Sequence, residues 1–122
     1  MAWRFNNDRA IYLQVADQIR KWVITGKYGP GEQIPTVRQL ALEAAVNPNT
    51  IQHAFSELER EGLIESYGTL GRFVTEDTDK IYEAGRVAAV SLVKNFVKGL
   101  CELSLSKNEA FQLLKEAFDE HF

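Results

Sequence analysis

Apolar side chains recur at three- and four-residue steps in several separate stretches of the chain, each bounded by glycine, proline or a capping residue. The first begins at Asp8 or Ala10. Tyr12, Val15, Ala16, Ile19, Trp22 and Val23 share one face of it, while Asp17, Gln18, Arg20 and Lys21 fill the other. Gly26, Gly29, Pro30 and Gly31 stop this helix and form a turn-rich connector. Thr36 is a good N-cap for a short helix over Val37 to Glu43, with Leu40 and Ala41 facing inward. After Ala44-Ala45-Val46, Asn47 as cap and Pro48 at the first helical position open another helix. Its apolar stripe is Ile51, Ala54, Phe55 and Leu58, and it ends before Gly62. Glu57, Glu59, Arg60 and Glu61 read as its solvated outer face. Ahead of the first helix, Trp3 and Phe5 alternate around Arg4 as a short extended arm; Trp3 and Trp22 read as packing residues.

Beyond Gly62 the pattern becomes β-prone. Leu63 to Ser66 and Arg72 to Thr75 flank the glycine-containing turn Tyr67-Gly68-Thr69-Leu70-Gly71, which predicts a hairpin. Two short helices joined by a tight connector make a helix-turn-helix candidate, and a hairpin directly after the second makes it winged. A long helix follows from about Lys80 to Leu103. Ile81, Ala84, Ala88, Leu92, Phe96 and Leu100 form its stripe, widened by Val93, Val97 and Leu103. Ser106 and Glu109 spell a capping box for a last helix, which presents Phe111, Leu114 and Phe118. The fold class expected is therefore mainly α with a small β-wing. A winged helix-turn-helix should occupy residues 1–76, followed by a two-helix C-terminal tail over 77–122. Two short helices cannot cover so wide an apolar stripe alone. Pairing with a second copy of the chain would bury it, so Ile81, Ala84, Ala88, Leu92, Phe96, Leu100, Phe111, Leu114 and Phe118 are the expected dimerisation residues.

Composition narrows the class. The chain has 122 residues, 45% hydrophobic and 25% charged, which suits one or two small folded units. Its apolar runs are too short to cross a membrane, and Met1-Ala2-Trp3-Arg4 lacks a signal-peptide core, so a cytoplasmic location is expected. One cysteine, Cys101, excludes an intramolecular disulfide and a multi-cysteine zinc site, and reads as a small packing residue. The net charge of −3 argues weakly against a nucleic-acid partner. Phosphates sense the local field of one face, however, and from Gln33 to Ser56 only Arg38, Glu43 and His53 are titratable.

The stretch from Gly26 to Ala41, with Gly29-Pro30-Gly31-Glu32-Gln33-Ile34-Pro35-Thr36-Val37-Arg38-Gln39-Leu40 at its centre, closely resembles the signature of the GntR family of regulators. Asn47-Pro48-Asn49-Thr50-Ile51, Ala54-Phe55, Leu58, Glu61-Gly62-Leu63-Ile64 and Gly71 with Phe73-Val74 continue it at the expected spacing, from about Tyr12 to Thr75. The brief helical tail resembles the YtrA-like branch, whose members lack a large effector domain. The resemblance implies a transcription regulator, usually a repressor, bound as a homodimer to a two-fold operator in double-stranded DNA. It also implies contacts from Arg38 and from the wing tip, here Gly71 and Arg72. The wing departs from the branch pattern. Arginines followed by Gly-Leu-Gly-Thr are usual before Phe-Val, whereas this chain reads Tyr67-Gly68-Thr69-Leu70-Gly71-Arg72.

Physical chemistry points to the same face. A recognition helix presents its N-terminal residues to base edges, here Asn47, Pro48, Asn49 and Gln52, with Thr50 and His53 nearby. Asn and Gln side chains pair with adenine edges, while hydroxyls such as those of Thr36 and Thr50, and helix N-terminal amides, suit phosphates. Two other readings stay open: a winged helix that binds a protein, and a DNA binder whose tail holds an unidentified small-molecule effector. No cofactor or metal is expected. His121, Asp119 and Glu120 are neighbours on one helix and cannot converge on an ion. The glycines of the connector precede a proline turn and do not make a phosphate loop, and no nucleophile–base set is present, so an enzyme is not expected.

Overall fold

The computed structural model describes residues 3–122. In chain order it contains α1 (Ile11–Thr25), α2 (Val37–Ala44), α3 (Pro48–Arg60), β1 (Ile64–Ser66), β2 (Arg72–Val74), α4 (Thr78–Glu102) and α5 (Lys107–His121). The expected winged helix-turn-helix with a helical tail is what forms. Strands β1 and β2 pair antiparallel, with Ile64 opposite Val74 and Ser66 opposite Arg72. A single 3-10 turn, Gly68–Leu70, sits inside the hairpin loop.

Local cap chemistry marks several of the helix ends. Gly26 takes a left-handed conformation, φ 86°, at the end of α1, and its N–H donates to the Val23 carbonyl. Thr36 and Gln39 make a reciprocal capping box at the head of α2. The Gln39 N–H donates to Thr36 Oγ1 at 3.1 Å, and the Thr36 N–H donates to Gln39 Oε1 at 2.8 Å. Asn47 caps α3, its Oδ1 accepting from the Asn49 N–H at 2.8 Å, with Pro48 at the first helical position. Between α2 and α3 the chain turns through Ala45 at φ 56°, a left-handed residue that costs about 1–2 kcal/mol in a non-glycine.

The chain divides into two compact units, one ending at Gly85 and the other Arg86–Phe122. In the first, α1 and α2 both pack on α3, and the wing closes the open side. Val15, Ile19, Leu40, Ile51, Phe55, Leu58, Leu63, Ile64 and Val74 are fully or almost fully buried there. Each contributes about 1.5–3 kcal/mol of burial as a large side chain. Trp3 and Phe5 lie against this core, Trp3 meeting Trp22 edge-on at 5.2 Å. The opening turns of α4 belong with this unit: Ile81 and Ala84 rest on its core, and a Cβ added at Gly85 would stand 3.2 Å from Ile24 Cγ2. The second unit is the rest of α4 and α5, the latter capped by Ser106 and Glu109 through bonds of 3.1 and 3.2 Å. None of its residues is buried. No helix among the described residues is long and apolar enough to cross a membrane.

The acidic run at the end of α3 keeps to the surface, as expected, and is also ion-paired. Glu57 pairs with Arg60 at 2.5 Å, Glu61 with Arg20 of α1, and Glu59 with Arg72 of the wing. Helix α1 and strand β2 both flank α3, so Glu61 and Glu59 become its ties to its neighbours, while Glu57 and Arg60 pair within the helix.

Candidate nucleic-acid interface

Burial of Ile51, Ala54, Phe55 and Leu58 fixes the rotation of α3. The exposed stripe is then Asn49, Gln52, His53, Ser56 and Arg60, spaced three and four residues apart. Four of the five are uncharged and none is acidic. Neither α2 nor α3 carries an acidic residue in its first turn, so the positive ends of both helix dipoles are unopposed. Arg38, on the first turn of α2, is exposed and takes part in none of the ion pairs among the described residues. Anionic ligands are the chemistry this arrangement accepts.

Several of the residues expected here serve the fold as well. Thr36 and Asn47 use their side-chain oxygens as caps, which leaves the Thr36 hydroxyl proton and the Asn47 amide N–H groups free to donate outward. Pro48 and Asn49 stand exposed on the first turn of α3, and Thr50 is half-buried there, its N–H donating to the Asn47 carbonyl at 2.9 Å. The His53 ring lies flat on Tyr12 of α1, centroids 3.5 Å apart and planes 5° from parallel. One face of the imidazole is covered and its edge stays exposed. Ser56, which sequence reasoning did not single out, donates its hydroxyl to the Gln52 carbonyl at 3.1 Å.

The wing is fastened from both sides. Gln33 Nε2 donates to the Leu70 carbonyl at 2.8 Å, and a Cβ at Gly71 would stand 2.7 Å from that same nitrogen. With φ at 110°, Gly71 is where the chain needs both the missing side chain and the unusual backbone. Tyr67 donates its hydroxyl to Glu65, which holds the phenol above its ordinary range.

Arg72 takes a different place from a wing-tip residue facing solvent. Its side chain turns onto α3: Nε donates to Glu59 Oε1 at 3.0 Å, Nη2 donates to Gln52 Oε1 at 3.0 Å, and the guanidinium lies 4.8 Å over the Phe55 ring. Two expected DNA contacts, Gln52 and Arg72, are thereby bonded to each other. Glu59 and Gln33 supply the positioning, and neither stood out in the sequence. Gln39 was not singled out either, although Thr-x-x-Gln at a helix start is the signal that could have found it. On the opposite side Arg20 forks onto Glu61, Nε to Oε1 at 2.8 Å and Nη2 to Oε2 at 2.6 Å. The hydrogen bond to Glu61 raises the pKa of Arg20 further above its ordinary value and locks α1 to the end of α3.

Known proteins are similar to this chain in sequence and in fold. The HTH-type transcriptional regulator YhcF of Bacillus subtilis, itself uncharacterised, is 37% identical over 112 residues, covering 92% of this chain and 93% of that one. The HTH-type transcriptional repressor YtrA of the same organism is 35% identical over 80 residues, 66% of this chain and 62% of that one. A solved GntR family transcriptional regulator from Listeria monocytogenes matches with a TM-score of 0.87 at 32% identity, covering 92% of this chain and 98% of that chain. Residues 11–74, from the first turn of α1 to the end of the wing, match the family described as bacterial regulatory proteins, gntR family, and the chain belongs to it.

Proposed function

We propose that the protein is a transcription repressor that reads duplex DNA with the exposed stripe of α3 and holds phosphates with the N-terminal ends of α2 and α3. The observation that carries this reading is the stripe itself: polar, free of carboxylates, and set on a helix that its buried face and its cap hold in place. Asn49 and Gln52 are the base readers, Arg38 and Thr36 the phosphate contacts, and Asn47, Pro48, Thr50 and His53 line the same approach. Gly71 brings the wing backbone alongside, and the N–H groups that Arg72 does not spend on Glu59 and Gln52 remain available to a phosphate.

The tail supports a two-fold arrangement. Leu92 is 71% exposed and Phe96 44%, and Phe111 and Phe118 are also open to solvent. Exposed apolar surface of this kind marks an association site, and a second copy of the same helices offers a matching one. Two copies joined this way would place two α3 helices on paired half-sites of an operator.

The test is selection from random duplexes, then titration of single variants against the winning sequence. Asn49→Ala should lose about 1–3 kcal/mol and relax preference at particular base pairs. Arg38→Ala should weaken binding to all sequences and flatten the salt dependence by about one unit. Both variants should melt like the parent. If no duplex is enriched, or if both variants bind as the parent does, the surface serves a protein partner and the DNA reading is wrong.

A further inference from the structure

The bond between Arg72 and Gln52 determines which base Gln52 is able to read. A guanidinium has only donors, so the atom of Gln52 facing Arg72 has to be the amide oxygen, and Oε1 stands 3.0 Å from Nη2. The amide nitrogen is therefore turned away from the wing. Arg72 has little freedom to leave. Its backbone carbonyl accepts from the Ile34 N–H at 3.0 Å, its Nε is bonded to Glu59, and its guanidinium covers Phe55, a fully buried ring.

Glutamine reads adenine by accepting from N6 and donating to N7 together. Here the oxygen already accepts from a cation on one lone pair, and any donor on the other would stand beside that same positive group. An adenine amino group brought to it would meet like partial charge. The free edge of the pair is the amide N–H₂, backed by the guanidinium, and a donor edge fits the two acceptors of guanine, O6 and N7.

Resting on the DNA-binding reading above, we infer that Arg72 is a positioning residue that converts Gln52 from an adenine reader into a reader of acceptor-only edges, guanine above all. Glu59 completes the device by anchoring the other side of the guanidinium.

The experiment is selection from random duplexes with four full-length chains: parent, Gln52→Ala, Arg72→Met and Arg72→Ala. Methionine keeps an apolar cover over Phe55 while removing every donor, so it guards against a variant that merely unfolds; melting curves accompany each. The position whose preference is lost in Gln52→Ala is the one Gln52 reads. The parent should take guanine there. Arg72→Met should move the guanine-to-adenine ratio at that position toward adenine by about tenfold, with other positions unchanged. A parent that selects adenine there, or a ratio unchanged in Arg72→Met, overturns the inference while DNA binding stands. So does a Gln52→Ala chain with the parent's preferences throughout. Failure of the parent to enrich any duplex would instead sink the DNA reading, and this inference with it.

Discussion

Helices α3 and α4 carry similar apolar stripes with opposite fates. In α3, Ile51, Ala54, Phe55 and Leu58 are wholly buried by α1, α2 and the wing. Past Gly85, the stripe of α4 finds no such cover: Ala88 and Leu92 are exposed, Phe96 is nearly half so, and Leu100 is half-buried. Periodicity reports which face of a helix avoids water. It does not report whether the same chain supplies the cover. The unit ending at Gly85 closes on itself and is free to display a polar face. The tail keeps its apolar face open, as a surface for a second copy would be.

The sharpest way to break that contrast is to truncate one aromatic in each half. Phe55→Ala should cost about 3–5 kcal/mol and lower the melting temperature of the first unit steeply. Phe96→Ala, measured by the same melt on dilute chain, should change little, because the side chain is already half in water. Equal losses in the two variants would mean that the tail has an interior of its own.

A charge in the tail is the next probe. Leu92→Glu places a carboxylate in the proposed pairing surface, and sedimentation equilibrium should show dimer dissociation strengthened on the order of a hundredfold. A sedimentation profile like the parent's would remove Leu92 from the interface. Asn47→Ala is smaller. It deletes the cap of α3 and should cost about 1 kcal/mol in a urea melt, so binding losses in that variant need correction for stability.

The smallest effect concerns pH. The Ser106 N–H donates to Glu109 and holds its carboxyl below the ordinary value of 4.5. A depressed carboxylate contributes stability above its unfolded pKa and loses it as pH falls through the folded one. Parent and Glu109→Gln should therefore differ in tail helicity at neutral pH and converge in acid. A constant difference down to pH about 2 would show that the cap does not depend on the charge.

The helices were legible because their signals are local. Thr36, Asn47-Pro48 and Ser106 with Glu109 mark starts that need no tertiary knowledge, and the four-residue stripe of α3 fixes its buried face. Boundaries moved by a residue or two, with α2 reaching Ala44 and α4 beginning at Thr78. The exposed stripe of α3 followed from the same periodicity. The wing's grip on α3 did not. Arg72 and Glu59 are thirteen residues apart and on different elements, and nothing along the chain says that they meet. The same holds for Arg20 and Glu61, forty-one residues apart. Ionic ties between elements need the fold before they can be read.

In the proposed function a closed half reads DNA and an open half pairs two copies. The mass of the parent chain bound to its selected duplex tests both together. Two chains per duplex are expected, on half-sites about one helical turn, or a multiple of it, apart. One chain per duplex at full affinity, or no complex with any duplex, would contradict it.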